Sequence, residues 1–269
     1  MNYRHGYHAG NFADVVKHIA LIAVLQHLKK KDTAFAVVDS HGGRGAYDLA
    51  GEQSVRTGEA GKGIARLTDL SGDMPEALST YLSLVKGGSL YPGSPLIAAW
   101  LLRSQDRLTV IEKHPEEFAA LKETLAPFRN AIAEQGDGYA RAVRLLPPPS
   151  RRGLVLIDPP FESPGEFSDL ARTLREAYRK FATGIYLAWY PVKSPAEADA
   201  FAGEVLAGGM TKAMIVDASI AAAEGKLGRA GLLVINPPYG FDAVLQASAA
   251  LVAPRLEATI ETRWIAGSE

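Results

Sequence analysis

Apolar runs of four or five residues recur along the chain, separated by stretches in which apolar residues fall three or four apart. Ala34–Val38, Leu108–Ile111, Gly153–Ile157, Ile185–Trp189, Ala213–Val216 and Leu232–Ile235 are rich in Val, Ile and Leu, the pattern of strands buried on both faces. Ala131–Glu134 is a weaker candidate. Phe118–Phe128, Phe167–Phe181, Glu197–Leu206 and Phe241–Val252 have helical spacing, and a further helix runs to about Leu28 behind a cap at Asn11 or Asp14. Strand alternating with helix predicts an α/β fold with a mainly parallel sheet. Ligands of such sheets bind beyond the carboxyl ends of the strands, where Asp39, Glu112, Asp158, Pro191, Asp217 and Asn236 stand. The rhythm breaks between Leu49 and Tyr91, a segment rich in Gly, Ser and Thr with short helical patterns at Ile64–Leu70 and Pro75–Val85. We read residues 50–92 as a small helical insertion after the first strand, either substrate-binding or a structural lid. Residues 1–49 and 93–269 then form the main domain.

Composition narrows the class. The chain has 269 residues, 47% hydrophobic and 22% charged, which excludes disorder, collagen and coiled coil as the main architecture. It has no cysteine, so disulfides, thiolate zinc sites and a cysteine nucleophile are excluded. The apolar run Ile19–Leu25 is too short to span a bilayer and lacks the flanks of a signal peptide, so a soluble, cytoplasmic protein is expected. A net charge of -1 gives no global positive field, so any nucleic-acid binding has to be local.

Three segments carry candidate chemistry. In Val37-Val38-Asp39-Ser40-His41-Gly42-Gly43-Arg44-Gly45 a strand ends in an acid and a glycine-rich turn. Such a turn lets backbone approach a ligand closely, although an ordinary turn fits too. No G-x-G-x-x-G, phosphate-loop or G-x-S-x-G pattern is present, which leaves the nucleoside end of an adenosyl cofactor. Leu154-Val155-Leu156-Ile157 ends in Asp158-Pro159-Pro160-Phe161. The prolines fix an extended turn that holds a carboxylate beside unpaired carbonyls and an aromatic face, a set suited to a planar amine; the plain alternative is a strand terminator. The near-duplicate Asn236-Pro237-Pro238-Tyr239 lies too far along the chain from the glycine loop and is assigned a structural role.

The third segment, Tyr3 to His18, interleaves aromatics with Arg4, His5 and His8, a mixture that stacks bases and neutralises phosphates. A flexible surface start is the alternative. No carboxylate cluster accompanies the histidines, so no metal site is expected. Glu112 is placed to bind ribose hydroxyls and Asp137 to accept from an adenine amine. Lys29-Lys30-Lys31 reads as a solvated helix end, and Arg151-Arg152 as a turn or a phosphate contact.

Taken in order, Tyr3-Arg4-His5, His8-Ala9-Gly10-Asn11, Lys17-His18, Asp39-Ser40-His41-Gly42-Gly43, Arg56-Thr57-Gly58-Glu59, Tyr91-Pro92-Gly93-Ser94-Pro95, Glu112-Lys113-His114-Pro115, Asp158-Pro159-Pro160-Phe161 and Trp189-Tyr190-Pro191 give the chain a close resemblance to the RlmJ family of 23S rRNA adenine-N6 methyltransferases. The resemblance implies a Rossmann-like methyltransferase sheet with a helical insertion and S-adenosylmethionine as cofactor. It places the catalytic aspartate on Asp158 and cofactor contacts on His18, His41, Ser94, Glu112, Asp137, Gly138 and Asp158. Tyr3, with Arg4, His5 and Phe161, falls on the RNA side. The implied substrate is adenine 2030 of bare 23S rRNA; a monomer acting without a metal is expected. Gly42 and Arg44 depart from the small residues frequent in relatives, and Phe161 replaces a common Tyr. Methylation of DNA adenine or of a protein glutamine uses the same amine geometry. A non-catalytic RNA-binding protein is the alternative outside enzymes.

Overall fold

Strands form where the chain is apolar on both faces, and helices cover both faces of the sheet they build. A computed structural model describes residues 5–86, 90–223 and 225–268. Its large sheet contains β1 (Ala36–Asp39), β4 (Arg107–Glu112), β5 (Ala131–Gln135), β6 (Gly153–Ile157), β7 (Ile185–Pro191), β8 (Ala213–Ile220), β9 (Arg229–Ile235) and β10 (Ala258–Ala266). A separate short pair joins β2 (Ala46–Asp48) to β3 (Leu90–Pro92). The order is β10-β8-β9-β7-β6-β1-β4-β5. The five strands from β5 to β7 run parallel, while β9, β8 and β10 are joined to them and to one another antiparallel.

The helices are α1 (Phe12–Lys29), α2 (Glu52–Thr57), α3 (Glu59–Lys62), α4 (Glu76–Val85), α5 (Ser94–Leu101), α6 (Pro115–Leu125), α7 (Gly138–Arg144), α8 (Glu166–Lys180), α9 (Pro195–Leu206) and α10 (Phe241–Leu256). α1 is apolar nearly all round, and fourteen of its eighteen residues are buried against the sheet, α4, α5 and α10. A helix this deeply buried is the expected fate of an all-round apolar pattern. Asn11 is its cap: Oδ1 accepts the Ala13 and Asp14 N–H groups, each at 3.0 Å. On the opposite face α7, α8 and α9 pack over Val155, Ile157, Tyr186 and Leu233. The segment between β2 and β3 folds back on α1 through α4, whose Leu78, Tyr81 and Leu82 are buried.

Several elements differ from the sequence expectation. Asp217 is not a strand end, because β8 continues to Ile220 and Asp217 pairs with Arg229 at 2.7 Å. Asn236 does end its strand, but β9 runs against β7, so this end lies at the opposite edge of the sheet from Asp158. There Asn236, with φ +54°, donates to the carbonyls of Ala182 and Gly184, which is a structural role. Arg152 stacks over Phe35 and donates to the Leu28 and Thr33 carbonyls, so it braces a turn. Elements that the hydrophobic pattern did not single out include the β2–β3 pair, the short helices α2 and α3, α5, α7 and the edge strand β10.

Candidate active site

The parallel strands deliver β1, β4 and β6 to one sheet edge in register, since Asp39 lies opposite Val110 on one side and Leu156 on the other. Beyond that edge lies a cavity of about 570 Å³ lined by His5, Lys17, His18, His41, Ser94, Glu112, Asp137, Gly138 and Asp158 among others. Eight of the residues singled out from the sequence therefore meet in one place, contributed by six different segments. Tyr3 and Arg4 lie outside the described residues.

The glycine loop works through its backbone. Gly43 has φ +57°, and its N–H donates to Glu112 Oε2 at 2.8 Å, while His114 N–H donates to Oε1 at 2.7 Å. Glu112 is thus fixed at the strand end with its remaining lone pairs available to a ligand. Burial raises its pKa against the opposing pull of these N–H donors. Gly138 opens α7 directly against the loop, where a Cβ would lie 2.1 Å from the Ser40 carbonyl oxygen and 2.8 Å from the His41 ring. Gly42 is equally constrained, because a Cβ there would lie 2.1 Å from Val110 Cγ1. Arg44 leaves the cavity and forms a two-point ion pair with Glu117 at 2.7 and 2.9 Å. Asp137 caps α7 through Ala140 N–H and lies 3.5 Å from Lys113 Nζ. Burial pushes its pKa up, but these two groups outweigh that and hold it below the ordinary value.

Three buried polar groups around this loop are paired, whereas the buried His114 Nδ1 on the same cavity wall has no partner among the described residues. Ser94 Oγ donates to Asp39 at 2.6 Å, and burial pushes the Asp39 carboxyl up to about 6. His41 Nδ1 meets Ser40 Oγ at 2.7 Å, and burial drives its imidazole down to about 4. His18 Nδ1 meets the Tyr91 hydroxyl at 2.9 Å, and burial takes it down to about 3. Both imidazoles are neutral near pH 7.

Asp158 stands where two cavities meet. A second cavity of about 180 Å³ shares His5, Lys17, Asp158 and Pro160 with the first and adds Phe161, Trp189, Pro191 and Lys193. Phe161 holds φ +50°, an unusual conformation for a bulky residue, with its ring edge-on to Phe167 at 4.8 Å and to Trp189 at 6.0 Å. Asp158 Oδ2 accepts from Lys17 Nζ at 2.5 Å. Lys17 also pairs with Asp14 at 2.8 Å, and Asp14 Oδ2 meets His5 Nε2 at 2.9 Å. Burial alone would lower the Lys17 pKa, but Asp14 and Asp158 overcome it and hold the ammonium well above its ordinary value. Asp14 is likewise held well below its own, because His5 and Lys17 outweigh its burial. Lys17 and Asp14 were not singled out for chemistry from the sequence. The signal available there is an i,i+3 charge pair inside a helix that is otherwise apolar all round.

A family model described as "Ribosomal RNA large subunit methyltransferase D, RlmJ" matches residues 32–266. The chain is 40% identical over 247 residues to "Ribosomal RNA large subunit methyltransferase J" of Escherichia coli, covering 89% of this chain and 88% of that one. The protein of the same name from Haemophilus influenzae is 39% identical over 248 residues, with the same coverage. A crystal structure of a Legionella pneumophila protein superposes with a TM-score of 0.89 at 32% identity, covering 97% of this chain and 99% of that one. A probable spermidine synthase from Corynebacterium glutamicum, at 13% identity and a TM-score of 0.52 over 96% of this chain and 77% of that one, shares the fold alone.

Proposed function

The chain belongs to the RlmJ family of ribosomal RNA large subunit methyltransferases, and from that premise we propose that it methylates the exocyclic N6 of an adenine in 23S rRNA, adenine 2030 by resemblance, with S-adenosylmethionine as donor. The observation that carries this reading is the meeting of two unequal cavities at Asp158. The larger suits a cofactor and the smaller, walled by Phe161 and Trp189, suits a flipped base.

The residues of the larger cavity fit that cofactor chemically. Six carboxylates line it (Glu112, Glu117, Asp137, Asp158, Glu162 and Glu166) against two lysines, Lys17 and Lys113, a balance suited to a ligand with a sulfonium, an ammonium and a diol. Glu112 would hold the ribose hydroxyls and Asp137 with Gly138 the adenine, while His18, His41 and Ser94 complete the walls. When bound, S-adenosylmethionine supplies a methyl group already activated toward nucleophiles.

This chain's own part is positioning and charge. Phe161 offers its face to the target base, and stacking of this kind contributes about 1–3 kcal/mol. Asp158 accepts a hydrogen bond from N6 and draws its lone pair out of ring conjugation. A carboxylate is too weak a base to deprotonate neutral N6, so Asp158 takes the proton only after N6 has become cationic. Lys17 holds Asp158 in place through Oδ2; among the described residues Oδ1 has no partner and is left to the amine.

We further read residues 50–92 as the inserted subdomain and the acting unit as a monomer. Bare rRNA as substrate places the reaction in the cytoplasm. No helix of the described residues is long and apolar enough to cross a membrane. The test is labelled methyl transfer to protein-free 23S rRNA, duplex DNA and protein in parallel. Label in RNA alone is expected. Label in DNA or protein with none in RNA would overturn the substrate assignment.

A further inference from the structure

The Arg56-Thr57-Gly58-Glu59 motif lies in the insertion and is absent from the lining of both cavities. It nevertheless grips the segment that reaches them. Glu59 Oε1 and Oε2 lie 3.0 and 3.1 Å from His8 Nδ1, and Oε2 also accepts from Asn11 Nδ2 at 3.1 Å. Thr57 Oγ1 donates to the Tyr7 carbonyl, and Ile64 N–H donates to the Gly10 carbonyl at 2.8 Å. The two backbones nearly touch: a Cβ on Gly63 would lie 2.0 Å from the Gly10 carbonyl oxygen. Burial raises the Glu59 pKa, yet the His8 and Asn11 hydrogen bonds outweigh it and hold the carboxyl below its ordinary value.

The gripped segment leads straight to the chemistry. His8 N–H donates to the His5 carbonyl at 2.8 Å, closing a one-turn helix, His5–Tyr7. His5 then meets Asp14, Asp14 pairs with Lys17, and Lys17 with Asp158. His5 is also a wall of both cavities. We propose that Glu59 is a positioning residue for methyl transfer: through His8 and Asn11 it fixes residues 5–11 against the insertion, and so seats His5 beside the Asp14–Lys17–Asp158 cluster. This rests on the function proposed above and gives the insertion a task in that reaction.

The test uses the full chain with Glu59→Ala, Glu59→Gln, His8→Ala and the Glu59→Ala/His8→Ala double variant. Backbone hydrogen exchange at residues 6–10 should speed up in Glu59→Ala while α1 and α4 stay protected. The kcat on 23S rRNA should fall about tenfold or more, since displacements of about 1 Å have such effects. The cofactor Kd should change by less than about threefold, because Glu112, Asp137 and Gly138 are untouched. Glu59→Gln keeps one acceptor for two donors and should lie between wild type and Glu59→Ala. The double variant should match the worse single one, as for groups acting in one chain. Unchanged exchange at residues 6–10, or a lower melting temperature with kcat unchanged, would overturn the proposal, as would additive losses in the double variant. The exchange result stands even if the wild type labels no RNA, in which case the proposed function fails by itself.

Discussion

Two carboxylates and one amine side chain, Asp14, Asp158 and Lys17, form a cluster at the junction of the two cavities, where the proposed reaction would place N6. The side chain of Lys17 is only 5% exposed, so both of its ion pairs are largely out of water. Such a pair adds little net stability, but removing one partner leaves buried charge uncompensated. Lys17→Met should therefore cost about 3–5 kcal/mol in urea unfolding. A loss below about 1 kcal/mol, typical of exposed ion pairs, would contradict the buried cluster. The neutral imidazoles set the pH response. His18 and His41 are depressed to about 3 and about 4, so the unfolded chain binds protons below its ordinary value near 6.5 that the folded chain refuses. Their contribution is full above pH 6.5 and is lost as pH falls through about 4 for His41 and about 3 for His18. Asp39, raised to about 6, acts in the opposite sense: its contribution is full below about 4 and is lost as pH rises through 6. Two imidazoles outweigh one carboxyl, so the urea midpoint at pH 5 should lie below that at pH 7.5. An equal or higher midpoint at pH 5 would mean that the histidines are not held neutral.

Among the elements, the seam between the β1 loop and the start of α7 forms one wall of the larger cavity. The Gly138 backbone lies so close to Ser40 and His41 that no side chain fits. Gly138→Ala should push α7 off the loop and weaken cofactor binding about tenfold or more, measurable by calorimetry, while RNA binding without cofactor stays as it was. Unchanged cofactor affinity would place the adenine elsewhere. This seam is half legible in the sequence. The run Asp39 to Gly45 announces a close approach, but α7 is too short and too polar to be read as a helix. Strand β10 is missed for a related reason. Its edge position leaves Thr259, Glu261 and Arg263 among its residues, so it lacks the continuous apolar run that marks the interior strands. The cap of α1 is read correctly down to two choices, and geometry selects Asn11.

For the whole molecule, strand direction decides which of two similar motifs reaches the edge of the larger cavity. Both Asp158-Pro159-Pro160-Phe161 and Asn236-Pro237-Pro238-Tyr239 follow buried strands, but β6 is parallel to its neighbours and β9 is not. Order along the chain already favours Asp158; the antiparallel turn of β9 supplies the physical reason. What the sequence does not reveal is long-range pairing. Lys17 and Asp158 are 141 positions apart, and His8 and Glu59 are 51 apart. No local periodicity joins them, whereas Asp39, Glu112 and Asp158 announce themselves by ending apolar runs. The most direct test of the central claim is digestion to nucleosides and mass spectrometry of protein-free 23S rRNA after incubation with the chain and labelled S-adenosylmethionine. Label in N6-methyladenosine, lost in Asp158→Ala while cofactor Kd stays within about threefold, is the expected result. Label on any other atom, or full activity in Asp158→Ala, would contradict it.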